Sequence, residues 1–240
     1  MSILTHPPAR APRPVMRRRR GPNPLAAPLL VFAAVIVLAA CYVAYVLWPR
    51  WPEAPVALDA PSLPIVVAGA AFNIEPAAIR VAVQRRPGAQ ERVDLDYLWP
   101  SLSPPDPARK PTLEALNARD RLFVTIASGA TTLPIAERVK TIYPRYLAAD
   151  AAAGPPGLSQ RAFRDETAYA GEELIYDTQA PEYFFARCSR HGVNNAGMCL
   201  LERRLGEADL TFRFPREWLA DWRSVAAAVD KLMARLHPGD

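Results

Sequence analysis

From Leu25 to Trp48 the chain reads LAAPLLVFAAVIVLAACYVAYVLW, 24 consecutive residues without a charge. At about 1.5 Å rise per residue, a helix of this length spans roughly 36 Å, more than the ~30 Å hydrocarbon core of a bilayer. A soluble core helix keeps a polar stripe, whereas a helix in lipid is apolar on every face. Pro24 precedes the run and Pro28 falls in its first turn, where a missing amide donor costs little. The run predicts a transmembrane helix over 25–48, with the lipid bilayer as its partner.

Charge then sets the orientation. The whole chain carries 29 basic against 24 acidic residues, a formal +5. Six of the basic residues, Arg10, Arg13, Arg17, Arg18, Arg19 and Arg20, fall in a tail over 1–24 that has no acid. The positive-inside rule places that tail in the cytoplasm, with Arg17–Arg20 against anionic lipid. Trp48, Arg50 and Trp51 form an aromatic and basic collar for the far interface. Everything after the collar is expected to be exported. Lysine is rare (Lys110, Lys140, Lys231) while arginine, alanine and proline abound, which points to GC-rich bacterial coding and so to an inner membrane with a periplasmic domain. Without the tail, 23 basic residues face 24 acidic ones, so the body is near neutral. That balance gives no footprint for phosphate, and no nucleic-acid partner is expected.

Two other leader types share these residues. Leu38-Ala39-Ala40-Cys41 resembles a bacterial lipobox, but the chain stays apolar through YVAYVLW after Cys41, where a lipoprotein turns polar. The four arginines Arg17–Arg20 resemble a twin-arginine signal, but GPNP follows them where hydrophobic residues belong.

The segment 49–64 places five prolines in sixteen residues and predicts an extended, polyproline-like stalk. A single α+β domain is expected over 65–240, mainly antiparallel, with an internal helix and a C-terminal amphipathic helix. Ile79, Val81 and Val83 alternate with polar or small residues, as do Val93, Leu95 and Tyr97, each as a half-buried strand. Leu122 to Ala127 is apolar on both faces and reads as a central strand. Further strands are expected over 65–70, 159–164, 173–176, 183–188, 198–203 and 208–214. A helix is expected from Pro134 to about Leu147, where Pro144 kinks or ends it, and the proline cluster over 99–111 reads as a long surface loop.

The clearest period lies at the end. Trp218, Trp222, Val225, Val229, Leu232 and Leu236 recur at spacings of four and three, predicting an amphipathic helix of about six turns. The stripe suits packing on the sheet; a partner-binding or self-associating helix uses the same residues.

Cys188 and Cys199 flank the turn-rich HGVNNAG, so a hairpin clasped by a disulfide is expected in an oxidising compartment. Cys188, His191 and Cys199 also offer three zinc ligands, with only His237 left as a fourth histidine-type ligand outside the tail. No G-x-S-x-G elbow, phosphate loop or dinucleotide fingerprint occurs, and no cofactor is expected. Acidic pairs stand at Asp94 and Asp96, Asp165 and Glu166, and Glu172 and Glu173 without a diagnostic spacing. Asp94 and Asp96 are read as the solvated face of a strand. The functional expectation is a membrane-held interaction or scaffold module with an envelope-protein partner. A tethered periplasmic hydrolase or small-ligand-binding protein is the alternative.

Overall fold

The computed structural model describes residues 26–47, 56–106, 120–181, 183–190 and 197–237. Arg17, Arg18, Arg19, Arg20, Trp48, Arg50, Trp51 and His191 lie outside them. The chain divides into two compact units, Met1–Trp51 and Pro52–Asp240.

Among the described residues the first unit contains one helix, α1 (Ala26–Leu47), of 22 residues with no acidic residue in its first turn and no basic residue in its last. It is long and apolar enough to cross a membrane, and a signal sequence meets the same description. The helix runs without a break through Cys41, so the lipobox-like stretch occupies its middle.

The second unit begins with a hairpin, β1 (Leu63–Val67) and β2 (Ala70–Ile74), where one strand over 65–70 was expected. Ala68 and Gly69 turn the chain with φ of 49° and 83°, the doubly left-handed geometry that matches strand twist in a two-residue hairpin. β3 (Gly88–Ala89) joins β1 in parallel to complete a small sheet. Leu63 opens β1 and Val56 packs on the core, so the folded unit takes in part of the stretch read as stalk.

The main sheet has eight antiparallel strands: β4 (Arg92–Leu98), β5 (Arg121–Ser128), β6 (Ala152–Ala153), β7 (Leu158–Ala162), β8 (Glu172–Asp177), β9 (Phe185–Ser189), β10 (Met198–Leu205) and β11 (Ala208–Pro215). Their order is β4-β5-β11-β10-β9-β8-β7-β6. From β6 to β11 the chain meanders, and β11 then pairs with β5. One face of this sheet packs in a single core with β1, β2 and the terminal helix, joining Leu122, Val124, Ile126, Leu210 and Phe212 to Ile65, Phe72, Val225 and Val229.

The terminal helix is shorter than the sequence stripe. Arg216–Asp221 forms a 3-10 segment, and α3 runs from Trp222 to Leu236. The Asp221 side chain caps it by accepting from the Ser224 amide at 3.4 Å. Trp222, Val225, Val229, Leu232 and Leu236 are all buried against the protein's own sheet, and Trp218 is half-buried. The stripe thus packs on the sheet, the first of the two readings its period allowed, and is not free to serve as the partner-binding face that was the second. The apolar side chains are already spent on the core, and the Trp222 indole donates to the Pro156 carbonyl at 3.1 Å.

Two other expectations fail for local reasons. Over 76–84 the chain makes two 3-10 turns, Pro76–Ala78 and Ala82–Gln84, so no strand forms over 79–84, where Ile79 makes one isolated bridge to Leu95. Pro76 preorganises the first turn, and Val83 is left exposed. The helix expected over 134–147 breaks into a single α turn, α2 (Ile135–Glu137), a π turn (Arg138–Ile142) and a 3-10 turn (Tyr143–Arg145). Pro144 supplies no amide to continue the helix, and the Thr141 hydroxyl donates to the Glu137 carbonyl at 2.6 Å. The broken segment instead sets Tyr143 and Leu147 on Phe163 and Leu174, a second apolar cluster.

Candidate interaction cleft

Residues paired across a sheet point to the same face. One such row runs from Asp96 through Phe123, Arg213, Leu200 and Arg187 to Leu174, on β4, β5, β11, β10, β9 and β8. Leu174 belongs to the second cluster, which places this row on the face opposite α3. The 134–147 segment covers one part of that face, and Gln84 reaches the β4 edge of it by hydrogen bonding to Asp94. A cleft of about 500 Å³ opens there, lined by Arg80, Arg92, Arg187 and Arg213, by Asp94 and Glu172, and by an apolar floor that includes Phe123 and Leu200.

Asp94 and Asp96 are 7% and 4% exposed, which corrects their reading as a solvated face. The alternation was there, but the polar face is covered. Asp94 accepts from both Arg92 donors and from Thr125 Oγ1 at 2.9 Å and Gln84 Nε2 at 3.2 Å, while its own amide donates to Gln84 Oε1 at 2.9 Å. Burial by itself would raise the Asp94 pKa, but the bonds from Arg92, Gln84 and Thr125 outweigh it and hold the carboxyl below its usual range. Arg121 grips Asp96 with two donors, Nε at 2.9 Å from Oδ1 and Nη2 on Oδ2.

The same pattern extends to every acidic pair singled out in the sequence. Glu166 meets Arg164 at 3.5 Å, Asp165 meets Arg190, Glu172 meets Arg187 at 3.1 Å and Glu173 meets Arg216. Each of these carboxylates therefore lies beside a guanidinium. Glu172 differs from Asp94 in direction. Its burial outweighs Arg187 and raises its pKa. The Arg187–Glu172 contact is close without hydrogen-bond alignment, and Arg187 Nε and Glu172 Oε2 are buried without a hydrogen bond among the described residues.

Two cations in the cleft differ from the rest. Arg80 and Arg213 are exposed and form no ion pair among the described residues. Arg80 lies over the Phe123 ring, its Cζ 5.4 Å from the centroid, a cation–π contact at the floor.

Cys188 and Cys199 are directly opposite on β9 and β10 and form a disulfide. Both are fully buried, and as a disulfide they supply no thiolate for zinc, which sets aside the metal alternative. His237 is occupied elsewhere, with Nδ1 2.7 Å from the Ala71 carbonyl. Trp218 stacks on Trp99 at 4.3 Å and on Phe214 at 6.0 Å. Phe123, Arg80, Arg187 and Arg213 were not singled out from the sequence. Their only signal was a polar or aromatic residue alternating with apolar ones, and their convergence depends on the register of β5, β11, β10 and β9.

Fold and cleft together define an α+β domain: a broad antiparallel sheet backed by a C-terminal helix, with a charged concavity on its other face. No family model matches the chain, and no curated protein matches it. Among solved structures, the chain is similar to an immunity protein of the Stenotrophomonas maltophilia type IV secretion system. That likeness has 13% identity and a TM-score of 0.52, and covers 73% of this chain and 92% of the other. A second match is the Neisseria meningitidis iron-regulated outer membrane lipoprotein FrpD, with 10% identity, a TM-score of 0.37 and coverage of 69% and 85%. At these identities the likeness to the immunity protein is one of fold.

Proposed function

We propose that the chain is a single-pass bacterial inner-membrane protein whose folded unit works in the periplasm as a non-catalytic interaction module. In this reading 1–24 is the cytoplasmic tail, 25–48 the anchor, 49–64 mainly a short connection and 65–240 the exported body. The binding surface is the cleft on the sheet face opposite α3, in place of the helix stripe. The observation that carries the reading is the charge state of that cleft. Its carboxylates are each matched by an arginine, and further guanidinium groups stand over an apolar floor. Such a surface suits recognition of a charged partner.

Supporting observations concern location. α1 is apolar along its length, and the buried disulfide is the kind of cross-link that persists in an oxidising compartment. The similar fold of a secretion-system immunity protein is in keeping with work at the bacterial envelope. The test is a pair of reporter fusions after Asp240, one active only when exported and one only in the cytoplasm, with an intact mass of the membrane-extracted chain. The proposal expects activity from the first reporter alone and retention of the residues before Cys41. Cytoplasmic activity would overturn the topology, and loss of those residues with lipid on Cys41 would replace the anchor by a lipoprotein.

A further inference from the structure

We infer that the cleft takes an extended acidic segment of a partner protein, with carboxylates bracketing an apolar side chain; the inference rests on the interaction-module reading and names its partner chemistry. The row across β5, β11, β10 and β9 presents Phe123, Arg213, Leu200 and Arg187 in that order. Cation and apolar group thus alternate across the strands. Neighbouring strands lie about 4.8 Å apart, so the Arg213 and Arg187 backbones are separated by roughly 10 Å with Leu200 between them. An extended chain advances about 3.3 Å per residue and carries alternate side chains on one face, so carboxylates four residues apart share a face roughly 13 Å apart, within reach of two long arginine side chains, and the apolar side chain midway between them meets Leu200.

Charge complementarity selects the occupant. Four guanidinium groups line the cleft against two carboxylates. Arg92 is committed to Asp94 and Arg187 lies beside Glu172, whereas Arg80 and Arg213 have no ion pair among the described residues. Guanidinium groups suit planar carboxylates through paired donors. The floor of Phe123, Leu200 and Met198 gives such a segment apolar contact that a free inorganic anion would not use.

The experiment uses the full chain in detergent micelles and a fluorescent twelve-residue peptide with glutamates at every fourth position, a leucine two residues after each and serines elsewhere, beside a copy with every Glu replaced by Gln. Binding is read by anisotropy at low and high salt. The inference expects the Glu peptide to bind at least about tenfold more tightly than the Gln peptide, a difference of about 1.4 kcal/mol. It also expects weakening as salt screens the contact. Arg213→Glu should remove that preference while leaving the melting temperature unchanged, because the Arg213 side chain is exposed and unpaired among the described residues. A Lys-containing peptide should in turn gain affinity for Arg213→Glu. Equal binding of the two peptides, or Glu-peptide binding untouched by Arg213→Glu, overturns the inference. Displacement of the peptide by equimolar inorganic phosphate or glutamate assigns the cleft to a small anion and also overturns it. So does a dimer that Arg213→Glu dissociates, which would make a second copy the occupant. These results bear on the cleft's partner chemistry, whereas failure of the interaction-module reading itself would show as robust turnover of an envelope substrate by the same preparation.

Discussion

The disulfide clamps a seam, and its removal has a calculable cost. Among the described residues β9 and β10 are joined by two register pairs, Cys199 with Cys188 and Leu200 with Arg187. β10 otherwise pairs along eight residues with β11, and β9 along five with β8. The bridge therefore holds together two well-paired halves of the sheet at their narrowest junction. Its sequence separation is 11 residues. In the chain-entropy model, closing a loop of that size removes about 9 cal/mol/K from the unfolded state, or about 3 kcal/mol at 25 °C. For a domain of roughly 150–250 residues this corresponds to a fall in melting temperature of about 6–12 °C. The assay is calorimetry on the full chain in detergent, comparing wild type with Cys188→Ala/Cys199→Ala, alongside amide exchange of β9. Alanine is chosen because both sites are fully buried and a serine hydroxyl would add a separate desolvation cost. Faster exchange at Arg187 and its neighbours should accompany the lower melting point, and the cleft should lose affinity because its floor crosses the seam from Leu200 to Arg187. A double variant melting within about 2 °C of wild type, with β9 protection intact, would refute the clamp.

Other outcomes follow from the packing and the charges. Trp222→Ala removes a side chain only 3% exposed and orphans the Pro156 carbonyl, so it should cost about 3–5 kcal/mol in denaturant unfolding; a change under about 1 kcal/mol would mean the stripe is not core. Asp94 and Asp209 both have depressed pKa values, through partners Arg92, Gln84 and Thr125 in one case and Arg204 and Thr132 in the other. A group with a folded pKa below its unfolded value contributes stability above the unfolded pKa, about 3.9, and loses it as pH falls through the folded one. Stability should therefore drop below about pH 4, and Asp94→Asn should lower the neutral plateau and flatten that acid limb. An unaltered acid limb in Asp94→Asn would count against the ion-pair account.

Local pattern carried a large share of this structure and register carried the remainder. The stripe from Trp222 to Leu236 and the apolar run Leu122 to Ala127 declare themselves because one element's own period is enough to identify it. The cysteines could be paired because a turn-rich spacer stands between apolar runs. The segment 79–84 could not be read, since Ile79, Val81 and Val83 alternate like a strand while Pro76 and the bridge to Leu95 impose turns. Asp94 and Asp96 misled for a related reason: alternation tells which residues share a face, and only the tertiary fold tells whether that face meets water. The same limit hid the cleft. Phe123, Arg213, Leu200 and Arg187 stand up to 90 positions apart in the chain, and they converge only because β11 returns to lie between β5 and β10.

The central claim, a periplasmic binding face on the sheet opposite α3, is most directly tested by photo-crosslinking in living bacteria. A photoreactive residue at Arg213, beside the same probe at the solvent-facing Asp230 of α3, reports which face meets a partner. The account predicts one discrete adduct with an envelope protein from position 213, reduced by a second-site Arg80→Glu, and none from position 230. Adducts only with cytoplasmic proteins, or an adduct from position 230 and none from position 213, would contradict it.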